Sequence, residues 1–378
     1  MIVLREGSPA QDPRSCSQSA APLLHTQGCC GWLALPSMDA VTRLTAALHG
    51  TATDRPPVVL HNFLHAARRC AITQTEYRTR PEAMARAMLT TARDFSLDGI
   101  VVDMDTAVLA EACGAAVDHP DDVPARVRAP RFAAPGEVHG LPPPDITDHP
   151  RVRSWVEGVR LIKRAAGPTL WVRGNCDQAP FSLAAEMCAP EAFLMALLDP
   201  DQADDVRALL EWCAVACRAL LTAMAASGCD ALSNGDSTSG PDVVAPRAFR
   251  RWARSYHQDL AAHAHGLGLP WVIHVCGNTT AILDDLMTTG ADAVELDYKT
   301  DLDLCHAACH RYGRTLFGNL DPSGLICRGT PAEVRAGTSG LLSTFAGGRL
   351  VVGAGCALPA ETPDANVHAL VNASRQLG

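Results

Sequence analysis

The tightest grouping of reactive side chains in this sequence is His274-Val275-Cys276-Gly277-Asn278. Alternate residues of an extended segment point the same way, so His274 and Cys276 can face one point. Cys356 lies far downstream, just after the short apolar run Leu350-Val351-Val352. An imidazole and two thiolates form a soft donor set that suits zinc, and three protein ligands leave one position for water or substrate. Zinc in such an open site binds a thiol and strips its proton, turning a weak nucleophile into a thiolate. Spacing alone does not decide the matter. With 15 cysteines and 14 histidines a chance His-x-Cys is expected, and that reading stands beside the metal site on equal terms.

Other polar residues also gather where short apolar runs end: His61-Asn62, Asp103 and Asp105, Arg173 to Asn175, Asn234 to Asp236, Asp297, and Asn319 to Asp321. Asp105, Asp236, Asn278, Asn319 and Asp321 are the substrate-binding candidates. Asp105 and Asp236 have a second reading, in which they orient His274 from behind, and capping a loop is the plain alternative. Glu295 or Asp297 can supply a fourth zinc ligand in the substrate-free state. His257, His263 and His265 fall on a predicted helix and read as surface residues. Cys305, His306, Cys309 and His310 have an i, i+4 spacing that a metal can use, but on a helix remote from the strand ends.

Positioning these residues requires a regular scaffold. Pro57 to Leu60, Gly99 to Val102, Thr169 to Val172, Ala231 to Ser233, Trp271 to His274, Ala293 to Leu296, Thr315 to Phe317 and Leu350 to Val352 are short apolar runs. They alternate with helical segments at Ala40 to His49, Pro81 to Phe95, Asp201 to Ser227, Pro246 to Leu267, Ala281 to Thr289, Leu302 to Tyr312, Pro331 to Phe345 and Asn366 to Leu377. Strands that are apolar throughout, each followed by a helix, predict a parallel sheet covered on both faces. Eight such units predict an α/β fold of the closed (β/α)8 TIM-barrel type, with the active site at the carboxyl ends of the strands. No Gly-x-Gly-x-x-Gly follows any strand, which argues against a dinucleotide-binding sheet. Residues 129 to 149, rich in Pro and Gly, read as a long loop or the base of a lid. Residues 1–36 carry Ser, Gln, Pro and Gly without periodicity and read as a disordered leader, leaving 37–378 as one domain.

Composition bounds the partners. The net charge is −9, and no run of Lys or Arg offsets it, so no nucleic acid and no anionic membrane surface is expected as partner. The odd cysteine count, the length of 378 residues and the polar start argue against a secreted disulfide framework. Runs such as Trp212-Cys213-Ala214-Val215-Ala216-Cys217 use cysteine as a small hydrophobe, and a cytoplasmic, reducing location is expected. No uninterrupted apolar stretch of about 18 or more residues is apparent, so no membrane span is expected.

The motifs together carry a resemblance. His274-Val275-Cys276-Gly277-Asn278-Thr279, Gly290-Ala291-Asp292-Ala293, Gly318-Asn319-Leu320-Asp321-Pro322 and Gly355-Cys356-Ala357-Leu358-Pro359 with Thr362-Pro363 resemble the uroporphyrinogen decarboxylase superfamily. Within it they are similar to the corrinoid-dependent methyltransferase branch, over about residues 40 to 378. The resemblance implies a TIM barrel and a zinc signature that falls on His274, Cys276 and Cys356 as metal ligands and catalytic residues. It implies methyl transfer from a methylcorrinoid, carried by a partner corrinoid protein, to a small thiol. No Asp-x-His-x-x-Gly signature is present, so the chain is not expected to carry its own cobalamin. Against a decarboxylase, the arginine-rich entry segment of that branch is replaced by His61-Asn62-Phe63-Leu64-His65-Ala66-Ala67-Arg68. The expected tyrosine is replaced by Glu186 and the late histidine by Cys356, although Asp105 matches the decarboxylase aspartate. A porphyrinogen with eight carboxylates also needs a cationic pocket, and the strand ends here are acidic. A barrel that keeps zinc for structure and only binds a small ligand is the remaining alternative.

Overall fold

The computed structural model describes residues 37–375, so the leader expected for residues 1–36 lies outside the described residues. Ten strands are formed among these described residues. They are β1 (Val59–Leu60), β2 (Gly99–Val102), β3 (Ala116–Asp118), β4 (Arg126–Ala129), β5 (Trp171–Gln178), β6 (Ala231–Gly235), β7 (Trp271–Val275), β8 (Ala293–Leu296), β9 (Thr315–Leu320) and β10 (Leu350–Ala354). Eight of them make one sheet in the order β1-β2-β5-β6-β7-β8-β9-β10, every neighbouring pair parallel. Val58 bridges Val352 in parallel, and the Val352 N–H donates to Pro57 O at 2.8 Å, which closes the sheet on itself. With helices covering the outside, this is a (β/α)8 barrel. β3 and β4 form a separate antiparallel hairpin after β2.

The two-residue period of a strand explains what each face carries. Val59, Val101, Trp171, Ala231, Val272, Ala293, Phe317 and Val351 point inward and form one apolar cluster. The helix Ala40–His49 plugs this layer from below with Leu44, Ala47 and Leu48. Its start is fixed by Asp39, which accepts from the Thr42 N–H, and its end by Gly50 at φ +66°. The intervening residues Leu60, Ile100, Val172, Leu232, Ile273, Val294, Leu316 and Val352 join the larger core beneath the outer helices. Two residues above the inner layer the side chains change character: His61, Asp103, Arg173, Ser233, His274, Glu295 and Asn319. The barrel floor is apolar and its mouth is polar.

Several elements differ from expectation. β5 and β9 run on to Gln178 and Leu320, so Asn175 and Asp177 are strand residues. The single helix expected over Pro246 to Leu267 is two, Pro246–Trp252 and Arg254–Gly266, meeting at Ala253. The break lets Trp252 and His257 both be buried. The helix Pro150–Ala166, which supplies Arg151, was not anticipated: its charged residues outweigh its apolar stripe in a reading by hydropathy. The segment Pro200–Ala225 is long and apolar enough to cross a bilayer by length and composition, although Glu211 and Arg218 interrupt it. One face of its helix Ala203–Ala225, including Leu209, Leu210, Leu220 and Leu221, is packed into the core.

Candidate metal centre

His274 and Cys276 stand at the end of β7, held from the neighbouring strand. The Asp236 N–H donates to His274 O at 2.8 Å, and the Cys276 N–H donates to Ser237 Oγ at 3.1 Å. The Gly277 N–H donates to Asp297 Oδ2 at 3.0 Å, fixing the turn that follows. Cys356 arrives from the opposite side of the sheet order. After β10 the chain crosses over β9, where the Gly355 N–H donates to Leu320 O at 2.9 Å, and lies against the end of β8. A Cβ on Gly355 would stand 2.7 Å from Leu296 O and 3.0 Å from the Asp297 Cα, so only glycine permits this crossing.

The crossing brings three donors together. His274 Nε2 is 3.0 Å from Cys276 Sγ, Cys276 Sγ is 3.6 Å from Cys356 Sγ, and all three ligand atoms lie within 4.8 Å of one another. Zn–S bonds of about 2.3 Å and Zn–N bonds of about 2.0–2.1 Å separate tetrahedral donors by roughly 3.5–3.8 Å. The sulfur pair already meets that spacing, and the imidazole needs to give by about 0.5 Å relative to it. The residues therefore fit zinc. Among the described residues this is the only cluster of metal-sized spacing; Cys305, His306, Cys309 and His310 do not form one.

The charges are arranged for exchange of protons with a cation. Burial pushes His274 down, but the neighbouring Cys276 sulfur outweighs it and raises the imidazole to about 9. The hydrogen bond with Cys356 lowers Cys276 to about 3, against burial and helped by the His274 charge. Cys356, sharing that bond and itself buried, is pushed well above the usual thiol range. A divalent cation bound here takes the place of the His274 and Cys356 protons. Glu295 Oε2 lies 4.0 Å from His274 Nδ1, the nitrogen facing away from the sulfurs, and is ion-paired with Arg173. It therefore backs the imidazole rather than joining the three donors. Both Asp297 oxygens are engaged, by the Gly277 and Lys299 N–H groups.

A cavity of about 290 Å³ opens beside the cluster and shares its walls with His61, Asp103, Asp105, Arg173 and Asp177. Asp105 lines it, paired with Arg151 and accepting from the Ala107 N–H at 3.0 Å. Burial raises Asp105 in spite of Arg151. His61 Nε2 bonds Asp103 Oδ2 at 2.8 Å, and this bond holds Asp103 low against its burial. The other substrate candidates do not line this cavity. Asn278 is exposed and accepts from the Thr280 N–H. Asn319 Nδ2 reaches Asp297 O at 3.4 Å, and Asp321 caps the turn after β9 by accepting from the Ser323 and Gly324 N–H groups. Asp236 is fully buried and turned outward, bonded to the Ser182 N–H at 2.8 Å and to His257 Nε2 at 2.6 Å. That bond corrects the reading of His257 as a surface residue, because its ring is completely buried. His265 is exposed and His263 half-buried.

Two carboxyls of this region had no assigned role in the sequence reading. Asp177 is buried in the cavity wall, and burial with Asp105 and Asp103 nearby pushes it up to about 8, against the Leu109 N–H that bonds it. Glu186, on the helix Pro180–Met187, is pushed well above its usual range by burial and by Asp177. The inward period of β5 would have exposed the wall, but only with the strand extended to Gln178.

Comparison with known proteins agrees with this architecture. A model of the uroporphyrinogen decarboxylase (URO-D) family matches residues 39–377. A methylcobamide:CoM methyltransferase of Methanosarcina barkeri is 25% identical over 350 residues, covering 88% of this chain and 96% of the relative. A uroporphyrinogen decarboxylase of Coxiella burnetii is 27% identical over 304 residues, covering 78% of this chain and 81% of the relative. The solved structure of a methyltransferase from Methanosarcina mazei superposes with a TM-score of 0.82 at 23% identity, covering 90% of this chain and 99% of that one.

Proposed function

The chain belongs to the uroporphyrinogen decarboxylase family, and we propose that within it the protein is a zinc-dependent methyltransferase, moving a methyl group from a corrinoid on a partner protein to a small thiol. The observation that carries the reading is the convergence of His274, Cys276 and Cys356 within 4.8 Å at the mouth of the cavity. Its likeness to methylcobamide:CoM methyltransferases supports the donor and the class of acceptor. His274, Cys276 and Cys356 would hold the zinc, which when bound supplies a Lewis acid that favours the thiolate form of the acceptor.

The chain's own residues do the rest. The Glu295 carboxylate, paired with Arg173, stands behind the His274 ring, and Ser237 and the Asp236 backbone hold the His274–Cys276 segment in register. The cavity walls would hold the acceptor sulfur at the mouth of the barrel and limit its contact with water. The methyl group passes to that sulfur as CH3⁺: the C–S bond forms, the Co–C bond breaks, and its electron pair stays on the corrinoid cobalt. The thiol proton leaves to solvent. Reduced cysteines suit a cytoplasmic setting, and the cysteines among the described residues are free.

Decarboxylation is the second reading, favoured by the Coxiella burnetii relative. The cavity speaks against it, since its ionised Asp103 and Glu295 oppose a substrate with eight carboxylates. The test is demethylation of methylcobalamin, followed spectroscopically with a panel of small thiols. Turnover is expected only with protein, zinc and thiol together, and strong impairment in His274→Ala. X-ray absorption at the zinc edge should gain a sulfur when the acceptor is added. No thiol entering the zinc shell, with methylcobalamin left intact, would sink the methyltransferase reading. Release of carbon dioxide from uroporphyrinogen would replace it with the decarboxylase.

A further inference from the structure

The cavity wall holds buried polar atoms of both kinds without partners. Arg173 is 1% exposed; one of its nitrogens pairs with Glu295, while Nε and Nη1 have no hydrogen-bond partner. Asp177 is 2% exposed; Oδ2 accepts from the Leu109 N–H at 2.7 Å, while Oδ1 has no partner. Both side chains line the same cavity as His274, Cys276 and Cys356. Buried donors and acceptors are nearly always paired, so the exceptions at a cavity mark where a ligand's polar groups belong.

His61 Nδ1 and His274 Nδ1 are orphaned on the same wall, but Arg173 and Asp177 carry the charge, and they make opposite demands. Arg173 asks for an acceptor such as a carboxylate, and its planar fork suits one. Asp177, which burial and its carboxyl neighbours keep largely protonated at neutral pH, asks for a cation that takes the place of that proton, because Asp103 and Asp105 line the same wall. A purely anionic thiol satisfies Arg173 but meets repulsion from the carboxyls. A purely cationic thiol leaves Arg173 unanswered. The cavity of about 290 Å³ is small for a ligand pocket, so one compact molecule must carry both groups together with the sulfur.

We propose that the methyl acceptor is an α-amino-acid thiol, its carboxylate held by Arg173 and its ammonium by Asp177. The assignment rests on the thiol-acceptor reading above and narrows it to a zwitterionic class.

Calorimetric binding to the zinc-loaded full chain tests it without relying on turnover. The probes are L-homocysteine, 4-mercaptobutyrate (the same skeleton without the ammonium), 3-aminopropanethiol (without the carboxylate) and 2-mercaptoethanesulfonate. L-homocysteine should bind at least about tenfold more tightly than each of the others, because a site built for a polar group rejects the analogue lacking it. In Asp177→Asn the gap between L-homocysteine and 4-mercaptobutyrate should close. Asparagine keeps an oxygen for the Leu109 N–H and tolerates the φ of +58° at this position, so the variant should fold. The ligand series on the unaltered protein decides the matter even if it does not. Equal or tighter binding of 4-mercaptobutyrate or the sulfonate overturns the zwitterion assignment and leaves the thiol reading standing. Binding of no thiol at all overturns both.

Discussion

At the scale of single residues, the centre depends on three side chains with separate supports. Removing either sulfur leaves two donors, too few for tight zinc binding at neutral pH. Purified protein should hold about one zinc per chain, and Cys276→Ala and Cys356→Ala should each lower this to a small fraction, measured by plasma emission spectrometry. Full occupancy in both variants would remove the site from consideration. The sequence marked these residues, but not equally. His274 lies on β7 and Cys276 just past its end, so their convergence follows from the two-residue period of extended backbone. Cys356 was a candidate from its place after the last apolar run, and resemblance to a family strengthened it, because nothing local says that it crosses two strands to reach them.

At the scale of elements, two connections decide where the residues sit. The first is the crossing after β10, where Gly355 passes 2.7 Å, measured from its ideal Cβ, from Leu296 O. Gly355→Ala should push this segment away and carry Cys356 with it. The expected result is zinc affinity reduced by about tenfold or more with the circular dichroism unchanged, since the barrel core lies elsewhere. Unaltered affinity would show that the crossing does not set the position of Cys356. The second connection anchors the plug helix Ala40–His49. Asp54 bonds Arg43 Nε at 2.6 Å and accepts from the Met38 N–H at 3.0 Å, and Arg43 also pairs with Asp98. Although burial alone would raise Asp54, the Arg43 bond lowers it from 3.8 to about 2. A depressed carboxyl stabilises the fold above its unfolded value and loses that contribution as pH falls through its folded value. Asp54→Asn should therefore cost about 2 kcal/mol near pH 6, and the gap from the native protein should shrink between about pH 4 and pH 2. Urea midpoints across this range check it; a gap independent of pH would deny the ion pair its role.

At the scale of the whole molecule, the barrel keeps chemistry and stability apart. The inner cluster around Trp171 and Phe317 and the outer core beneath the helices are apolar and complete without the mouth. A metal bound at the mouth is thus not needed to hold the chain folded, unlike zinc in a small domain. Chelation should abolish methyl transfer while leaving the circular dichroism intact and the melting temperature lowered by only a few degrees. Unfolding on chelation would instead favour a barrel that keeps zinc for structure.

The sequence by itself determined the barrel and its floor. Eight short apolar runs alternating with amphipathic helices leave few other ways to bury both faces of a parallel sheet, and Gly99–Val102, Ala293–Leu296 and Leu302–Tyr312 form within the limits their residues suggest. It also determined that polar residues would crowd the strand ends. Only the tertiary structure decided which of them face the cavity. Asp105 and Asp236 look alike in sequence, each just past an apolar run, yet one faces the cavity and the other turns outward to His257. The difference lies in the register of neighbouring strands and in helices far away along the chain, which hydropathy and spacing do not encode. The burial of His257, the path of Cys356 over β9 and β8, and the orphaned atoms of Arg173 and Asp177 are non-local in the same sense. They exist only once the sheet has closed.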